Sequence, residues 1–317
     1  MAMDRPPSPP RSLRHAQPWV TQPERGNLRL LTAMSALSLR CGRRLSRVVL
    51  MLIVAYYWLR PGTAAGHIAR FQRRALARTP TRRDLFSHLL AFATCTHDRI
   101  FLLKNKFSEF SVEIANEELL TRTWEHCSGC LLIGAHVGSF EVSRALGVQH
   151  PGIAVVMAMY EENARNVGAF LAAINPHEAP DIISLGSIDS MLQVRNRLDQ
   201  GAFVGILGDR TLGDEPVVII NFLGTPAGFP VGPWRAAALL RRPVLFIAGL
   251  YCGGNRYRVV VEQLADFRYT ESSARDSAIH EAMVNYAGLL ETICRSHPYN
   301  WFNFFDFWHE LPAAPTS

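Results

Sequence analysis

From about residue 110 onward, short apolar runs alternate with segments of helical spacing. The runs read FSVEI, CLLIGA, IAVVMAM, DIISL and AFVGIL. Residues suited to capping a helix stand between them, such as Asn116 after the first run and Ser187 after the fourth. Strands that alternate with helices form a largely parallel sheet with helices on both faces. The sequence therefore predicts an α/β fold with a mostly parallel central sheet flanked by helices.

The C-terminal part of the chain shows two other patterns. The segment RRPVLFIAGLYCGGNRYRVVVEQL predicts two strands joined by a Gly-Gly-Asn turn, and hence an antiparallel pair at one edge of the sheet. The aromatic segment WFNFFDFW follows later in the chain. It is either a membrane-facing edge or a segment that seals the core. We favour the core, because aromatic belts at membranes are usually less continuous.

Positive charge is concentrated at the N-terminal end of the chain. Of the 33 basic and 27 acidic residues, sixteen arginines but only two acids lie in residues 1–83. A basic front end joined to an acidic body indicates an anionic partner, either a nucleic acid or an anionic membrane surface. Neither an aromatic-interleaved sheet nor a helix-turn-helix pattern is evident, so we expect no nucleic-acid partner.

An uncharged stretch from Val48 to Leu59 follows Arg43, Arg44 and Arg47 and precedes Arg60. Twelve helical residues span about 18 Å, less than the roughly 30 Å thickness of a bilayer's hydrocarbon core. We therefore expect an interfacial or partly inserted helix, with these arginines reaching lipid phosphates. A buried core helix is the alternative for an apolar run of this length.

These patterns divide the chain into three parts. The Pro- and Arg-rich residues 1–25 predict a disordered leader. Residues 26–105 predict a basic and apolar helical membrane-associated region, and residues 106–312 the α/β domain. No small-residue cleavage site follows the apolar run, so we expect no cleaved signal peptide and a cytoplasmic α/β domain.

Six cysteines are scattered along the chain, and only the CSGC pair, Cys127 and Cys130, has a spacing typical of metal ligands. A zinc site needs a second ligand pair at a matching spacing, and none is present. We therefore expect reduced thiols and no metal.

The segment GAHVGSFE places His136 just beyond the buried run CLLI. In an open α/β sheet, ligands bind beyond the C-terminal ends of the strands. If Val137 and Gly138 form a tight turn and Ser139 caps the next helix, Glu141 can fold back towards the imidazole. A carboxylate there fixes the tautomer and leaves the other ring nitrogen free to accept a proton. Alternatively, the histidine bonds to backbone and Glu141 is merely favourable at a helix N-terminus.

Two further segments contain candidate substrate-binding residues. The sequence GDR, after the strand AFVGIL, places Asp209 and Arg210 at a strand end on the same edge. Arginine can hold a phosphate or an oxyanion there, with the acid orienting it, unless the two form only a structural salt bridge. The Gly/Pro-rich segment FLGTPAGFPVGP predicts a rigid loop along a chain-like substrate, although Gly and Pro also simply punctuate loops. Its candidate binding residues are Gly224, Phe229, Pro230 and Gly232.

Together these segments resemble the motifs of the lysophospholipid acyltransferase-like superfamily. HVGSFE is similar to its His-x4-acid motif, GDR falls at its second motif, and FLGTPAGFPVGP and RRPVLFIAGL look like its third and fourth. The basic and apolar N-terminal helix and the closing YNWFNFFDFW make the chain more similar to the branch of lipid A late acyltransferases. Glu141 replaces the commoner Asp of the phospholipid branch, and GDR lacks the Asp-rich form of lipid A enzymes. The acceptor lipid therefore stays open.

The resemblance implies transfer of a fatty acyl group from a thioester of acyl carrier protein or coenzyme A to a lipid or glycolipid hydroxyl. It implies a peripheral or monotopic protein at the cytoplasmic face of a bacterial inner membrane, with no cofactor and no metal. In that scheme His136 is the general base and Glu141 its orienting partner, while Arg210, held by Asp209, binds an anionic group. The alternative is a lipid esterase or thioesterase whose dyad activates water, although the Gly-x-Ser-x-Gly elbow is missing.

Overall fold

The computed structural model describes residues 28–143, 152–160, 181–210 and 215–308. The predicted leader, residues 1–25, lies outside the described residues. The division between a membrane-associated region and an α/β domain near residue 105 stays a prediction.

Three helices form the N-terminal part of the described chain: α1 (Leu28–Leu59), α2 (Thr63–Ala75) and α3 (Arg82–Leu103). Helix α1 is kinked at Gly42, which has a φ of 77°. Helix α3 begins with a capping box in which Thr81 and Asp84 satisfy each other's backbone N–H groups. The predicted helical character of this region is confirmed.

Seven strands form the central sheet: β1 (Ser111–Ala115), β2 (Cys130–Gly134), β3 (Val155–Tyr160), β4 (Ile182–Leu185), β5 (Phe203–Leu207), β8 (Pro243–Tyr251) and β9 (Arg256–Asp266). Their order is β1-β9-β8-β2-β5-β3-β4. The run from β8 to β4 is parallel throughout, whereas β9 is antiparallel to β8 and carries β1 parallel to itself. The predicted mostly parallel sheet is confirmed. The predicted antiparallel pair is present as well, but β1 lies outside it, so the pair is not the edge.

Both faces of the sheet are buried along its central strands. The described residues of this part form the helices α4 (Glu117–His126), α5 (Phe140–Ser143), α6 (Ile188–Asp199), α7 (Gly232–Leu239) and α8 (Arg275–Ser296). Along β2, Leu131 and Ile133 join the apolar cluster under α8, whereas Leu132 joins the one under α3, and all three are fully buried. A strand apolar at every position is what a sheet covered on both faces requires.

The segment predicted as a Gly/Pro-rich loop is instead a β-hairpin of β6 (Val217–Phe222) and β7 (Thr225–Pro230). Gly224 lies in its turn with a φ of 77°, a conformation that favours glycine. The loop prediction is wrong because proline was interpreted as a break. Each strand of a two-stranded sheet has a free edge, where the missing N–H of Pro226 or Pro230 costs little.

Arginines of α1 dock this helix on the body of the protein. The Arg43 guanidinium donates two hydrogen bonds of 2.7 Å to Asp98 of α3, whose side chain is fully buried. Tyr257 of β9 donates a third hydrogen bond to the same carboxylate, at 2.8 Å. Arg43 and Arg47 also both donate to the carbonyl oxygen of Gly254, in the β8–β9 turn. The prediction that these two arginines reach lipid phosphates is therefore wrong, because protein acceptors occupy them.

The C-terminal half of α1 buries Leu50 and Val54 and leaves its other side exposed. Its exposed large apolar side chains are Leu45, Val48, Val49, Met51, Leu52, Tyr56, Tyr57 and Leu59. No described helix is by itself long and apolar enough to cross a membrane, whereas Ser38–Leu59 and Thr63–Ala75, bent by 90°, satisfy length and composition together.

Candidate active site

The register of two parallel strands brings His136 and Asp209 together. Gly134 at the end of β2 pairs with Leu207 at the end of β5. His136 and Asp209 each lie two residues beyond that pair, at the C-terminal edge of the sheet. The prediction that both lie on this edge is confirmed.

Asp209 binds the histidine at two points. Its Oδ1 lies 2.8 Å from Nδ1 of the His136 ring, and its Oδ2 accepts the backbone N–H of His136 at 3.0 Å. The indole Nε1 of Trp301 donates to the same Oδ2 at 2.9 Å. The Asp209 side chain is fully buried, whereas 32% of the His136 side chain is exposed. Asp209 is therefore a fixed internal group, and the imidazole faces outward from it.

The charges around the pair define its protonation state. Burial favours the neutral acid, but His136, Arg210 and the Trp301 hydrogen bond together hold the pKa of Asp209 below its ordinary value. Burial and the charge of Arg210 lower the pKa of His136, and Asp209 acts in the opposite direction. At neutral pH the carboxylate is thus ionised and can only accept hydrogen bonds, so Nδ1 carries the ring hydrogen. Nε2 then holds a lone pair, as a general base requires.

The predicted tight turn after the strand is confirmed. Gly138 has a φ of 60°, and α5 begins at Phe140, directly after Ser139. A Cβ atom on Gly138 would lie 2.0 Å from the carbonyl oxygen of Gly249 in β8, and that oxygen accepts the Ser139 N–H at 2.8 Å. The turn thus depends on a backbone approach that a larger residue would block.

The contact predicted between Glu141 and the imidazole is wrong. Glu141 forms an ion pair with Arg99 of α3 and accepts a hydrogen bond from Ser139 Oγ at 3.2 Å. A buried carboxylate is better stabilised by a guanidinium than by a neutral ring. Asp209, rather than Glu141, is the carboxylate that orients His136.

Arg210 is held by the C-terminal aromatic segment. Its Nη2 donates to the carbonyl oxygen of Phe302 at 2.7 Å, and its guanidinium carbon lies 5.0 Å from the centre of the Phe305 ring. Burial lowers the pKa of Arg210, and Asp209 opposes that effect. Asp209 accepts its hydrogen bonds from His136 and Trp301. The prediction that Asp209 orients Arg210 is therefore corrected: the C-terminal aromatic segment orients this side chain.

The residues of the Gly/Pro-rich segment that are predicted to contact substrate differ in their exposure. Phe229 is fully buried, with its ring centre 5.6 Å from that of Phe222 and 5.7 Å from that of Phe307. A substrate cannot touch Phe229 in this conformation. Gly224 and Gly232 are exposed and Pro230 is buried, and their roles in substrate binding stay predictions.

Two residues at the site were missed from the sequence, Trp301 and Arg99. From the sequence we expected Trp301 only to seal the core. A buried indole N–H usually has a hydrogen-bond partner, and this rule was the available signal that Trp301 contacts another side chain. Nothing near Glu141 in the sequence indicates Arg99. Among the described residues, no cluster of three or more His, Cys, Asp or Glu side chains is arranged to hold a metal ion.

At this site the neutral ring of His136 lies at the edge of an α/β sheet and faces outward, and the buried Asp209 carboxylate lies behind it. A comparison with protein families adds one finding: the model for bacterial lipid A biosynthesis acyltransferases matches residues 93–310. The chain belongs to this family. It is accordingly an acyltransferase, and the resemblance to lipid A late acyltransferases is confirmed. No curated protein matches the chain.

Proposed function

We propose that this acyltransferase moves a fatty acyl chain from an acyl thioester, of acyl carrier protein or coenzyme A, to a hydroxyl of a lipid or glycolipid. His136 is the general base. The observation that carries the proposal is the hydrogen bond of 2.8 Å between Nδ1 and the buried Asp209, which leaves Nε2 on the exposed side of the ring. The thioester is a co-substrate, and the scheme needs no cofactor.

The reaction begins when Nε2 of His136 removes the proton of the acceptor hydroxyl. The acceptor oxygen bonds to the thioester carbonyl carbon, and one electron pair of the C=O bond moves onto its oxygen. Collapse of this tetrahedral oxyanion restores the carbonyl and expels the thiolate, which takes the proton back from Nε2. Asp209 stabilises the imidazolium that exists between the two proton transfers.

Arg210 supplies positive charge next to the base. One of its N–H groups is engaged with Phe302, and its buried Nε has no hydrogen-bond partner within the described residues. We assign Arg210 to an anionic group of the substrate or to the oxyanion, where a planar guanidinium offers paired donors. Glu141 and Arg99 join α5 to α3 and keep the turn that bears His136 in place.

The exposed side of α1 supports peripheral or monotopic attachment to an anionic membrane. Leu52 is 68% exposed and Val48 57% exposed, and both lie on the apolar side described above. Arg44 and Arg60 flank this side and are exposed, in contrast to Arg43 and Arg47. An apolar helix side between arginines is typical of helices that lie in the interface of anionic bilayers. The proposed location is the cytoplasmic face of a bacterial inner membrane.

Acyl transfer tests the reaction directly. Labelled acyl carrier protein thioester and labelled acyl-CoA are each incubated with bacterial lipid extract and with either the wild type or the His136→Ala variant. The proposal expects label in a lipid with the wild type alone. Label released as free fatty acid, with or without added lipid, would replace it with the esterase or thioesterase. Transfer by both proteins alike would remove His136 as the base.

Co-sedimentation with anionic vesicles tests the attachment separately. The double change Val48→Asp and Leu52→Asp should weaken binding about tenfold or more, since each apolar side chain contributes about 1.5–3 kcal/mol when fully buried. Leu192→Asp on α6 is the control, because Leu192 is similarly exposed, at 51%, outside α1. Equal binding of both variants would refute attachment through α1.

A further inference from the structure

The segment from Asn300 to Phe302 runs directly behind the turn that carries His136. The backbone N–H of Phe302 donates to the carbonyl oxygen of His136 at 2.8 Å, and that of Gly138 donates to the carbonyl oxygen of Asn300 at 2.8 Å. Val137 and Trp301 form an isolated antiparallel bridge. The C-terminal segment is thus attached to the catalytic turn on both sides of Val137.

Trp301 differs from Trp234 and Trp308 in the partner of its indole N–H. Its side chain is 1% exposed, and its Nε1 donates to Asp209 Oδ2 at 2.9 Å. The indole N–H groups of Trp234 and Trp308 are also buried, but they have no hydrogen-bond partner in the described part of the protein. Packing alone therefore does not require that the indole of Trp301 reach a carboxylate.

We propose that Trp301 is a positioning residue for the acyl transfer, acting through Asp209 on the general base. The inference rests on the proposed function. Oδ2 accepts two N–H groups, from Trp301 and from the His136 backbone, on different segments of the chain. These two contacts prevent rotation of the carboxylate, so that Oδ1 stays 2.8 Å from Nδ1. Trp301 thereby helps to keep the lone pair on Nε2.

The loss of this N–H has a predictable electrostatic consequence. The charged groups that act on His136 are Asp209 and Arg210. With one donor fewer, the Asp209 carboxylate concentrates more negative charge on its remaining contacts and holds the imidazole proton more strongly. As the pH is lowered, the activity of such a variant should therefore begin to fall at a higher pH than that of the wild type. A residue that only fills space would not move this limb of the pH profile.

The test compares Trp301→Phe with Trp308→Phe in the full-length protein. Both changes replace a C-terminal indole by a benzyl ring, but only the first removes a hydrogen bond. For Trp301→Phe we expect kcat to fall about tenfold with KM retained, as for one lost hydrogen bond to a charged group. The acid limb of kcat/KM should also move to higher pH. Trp308→Phe should keep both the wild-type kcat and the wild-type profile. Equal effects of the two changes would overturn the proposal.

A measurement without substrate separates this inference from the proposed function and serves if Trp301→Phe does not fold. The indole N–H resonances of the six tryptophans are recorded by NMR in the wild type and in Asp209→Asn. We expect one indole resonance to move clearly, because its acceptor changes from a carboxylate to an amide. If no indole resonance moves, Trp301 does not act on Asp209. Failure of acyl transfer by the wild type, with this shift present, would instead refute only the proposed function.

Discussion

Replacing Asp209 by Asn changes the state of His136 without changing the shape of its partner. In the wild type all three contacts of Asp209 come from N–H groups: the His136 backbone, the His136 ring and Trp301. An amide offers one accepting oxygen and one donating nitrogen. If that nitrogen faces the ring, His136 must present the lone pair of Nδ1 and carry its hydrogen on Nε2. The nitrogen that should accept the hydroxyl proton is then blocked.

The size of the effect follows from the loss of the general base. A positioned base contributes about 10²- to 10⁴-fold to the rate, or about 3–5 kcal/mol of the activation barrier. We expect Asp209→Asn to lower kcat by a factor in this range. Glu141→Gln is the matched control, because Glu141 is also a buried acid of the site but contacts Arg99 and Ser139 instead of the ring. It should cost less than about tenfold.

The assay is the transfer of label from an acyl thioester into lipid extract, with the melting temperature of each variant measured in parallel. Folded variants are compared at saturating donor, so that kcat is separated from binding. The reasoning is refuted if Glu141→Gln abolishes transfer while Asp209→Asn remains close to the wild type. That result would restore Glu141 as the partner of His136.

Three further predictions concern other parts of the molecule. The acid limb of kcat/KM should report a pKa of His136 below its ordinary value, with activity lost as the base is protonated. Arg210→Gln should move this limb to higher pH, because a charge that lowers the pKa of His136 is gone. Gly138→Ala should prevent soluble expression or lower the melting temperature sharply, whereas Gly66→Ala in α2, where a Cβ meets open space, should keep the wild-type value. Arg43→Ala should lower the free energy of unfolding by about 3–5 kcal/mol in chemical denaturation, since it removes the guanidinium that neutralises the buried Asp98 carboxylate; a change below about 1 kcal/mol would contradict this.

The sheet was predictable from the sequence because buried parallel strands have a local signature. CLLIG is apolar or small at each position, and the structure buries every one of its residues. The turn after it was predictable for a similar reason, since Gly138 can adopt a positive φ at little cost. Each of these features depends on residues close together in the chain.

The chemistry of the site was harder to predict because it depends on which strands are neighbours. The spacing of His136 and Glu141 indicated a local pair. Instead, the Glu141 carboxylate pairs with Arg99, which lies 42 residues earlier in the chain. Asp209 lies 73 residues after His136 and reaches it only because β5 is next to β2. Trp301 was correctly expected in the core, yet its contact with Asp209 requires the packing of the whole C-terminal segment. Strand order and segment packing are tertiary properties that spacing does not encode.

The docking of α1 through Arg43 and Arg47 has a practical consequence for anyone who purifies this enzyme. Truncating the chain after the apolar stretch is the usual way to turn a membrane-bound enzyme into a soluble one. Here that cut would also remove the cation that neutralises Asp98 and would uncover the β8–β9 turn. If α1 attaches the enzyme to a membrane as proposed, a soluble form should therefore be sought by replacing the exposed apolar side chains of α1 and leaving the helix in place.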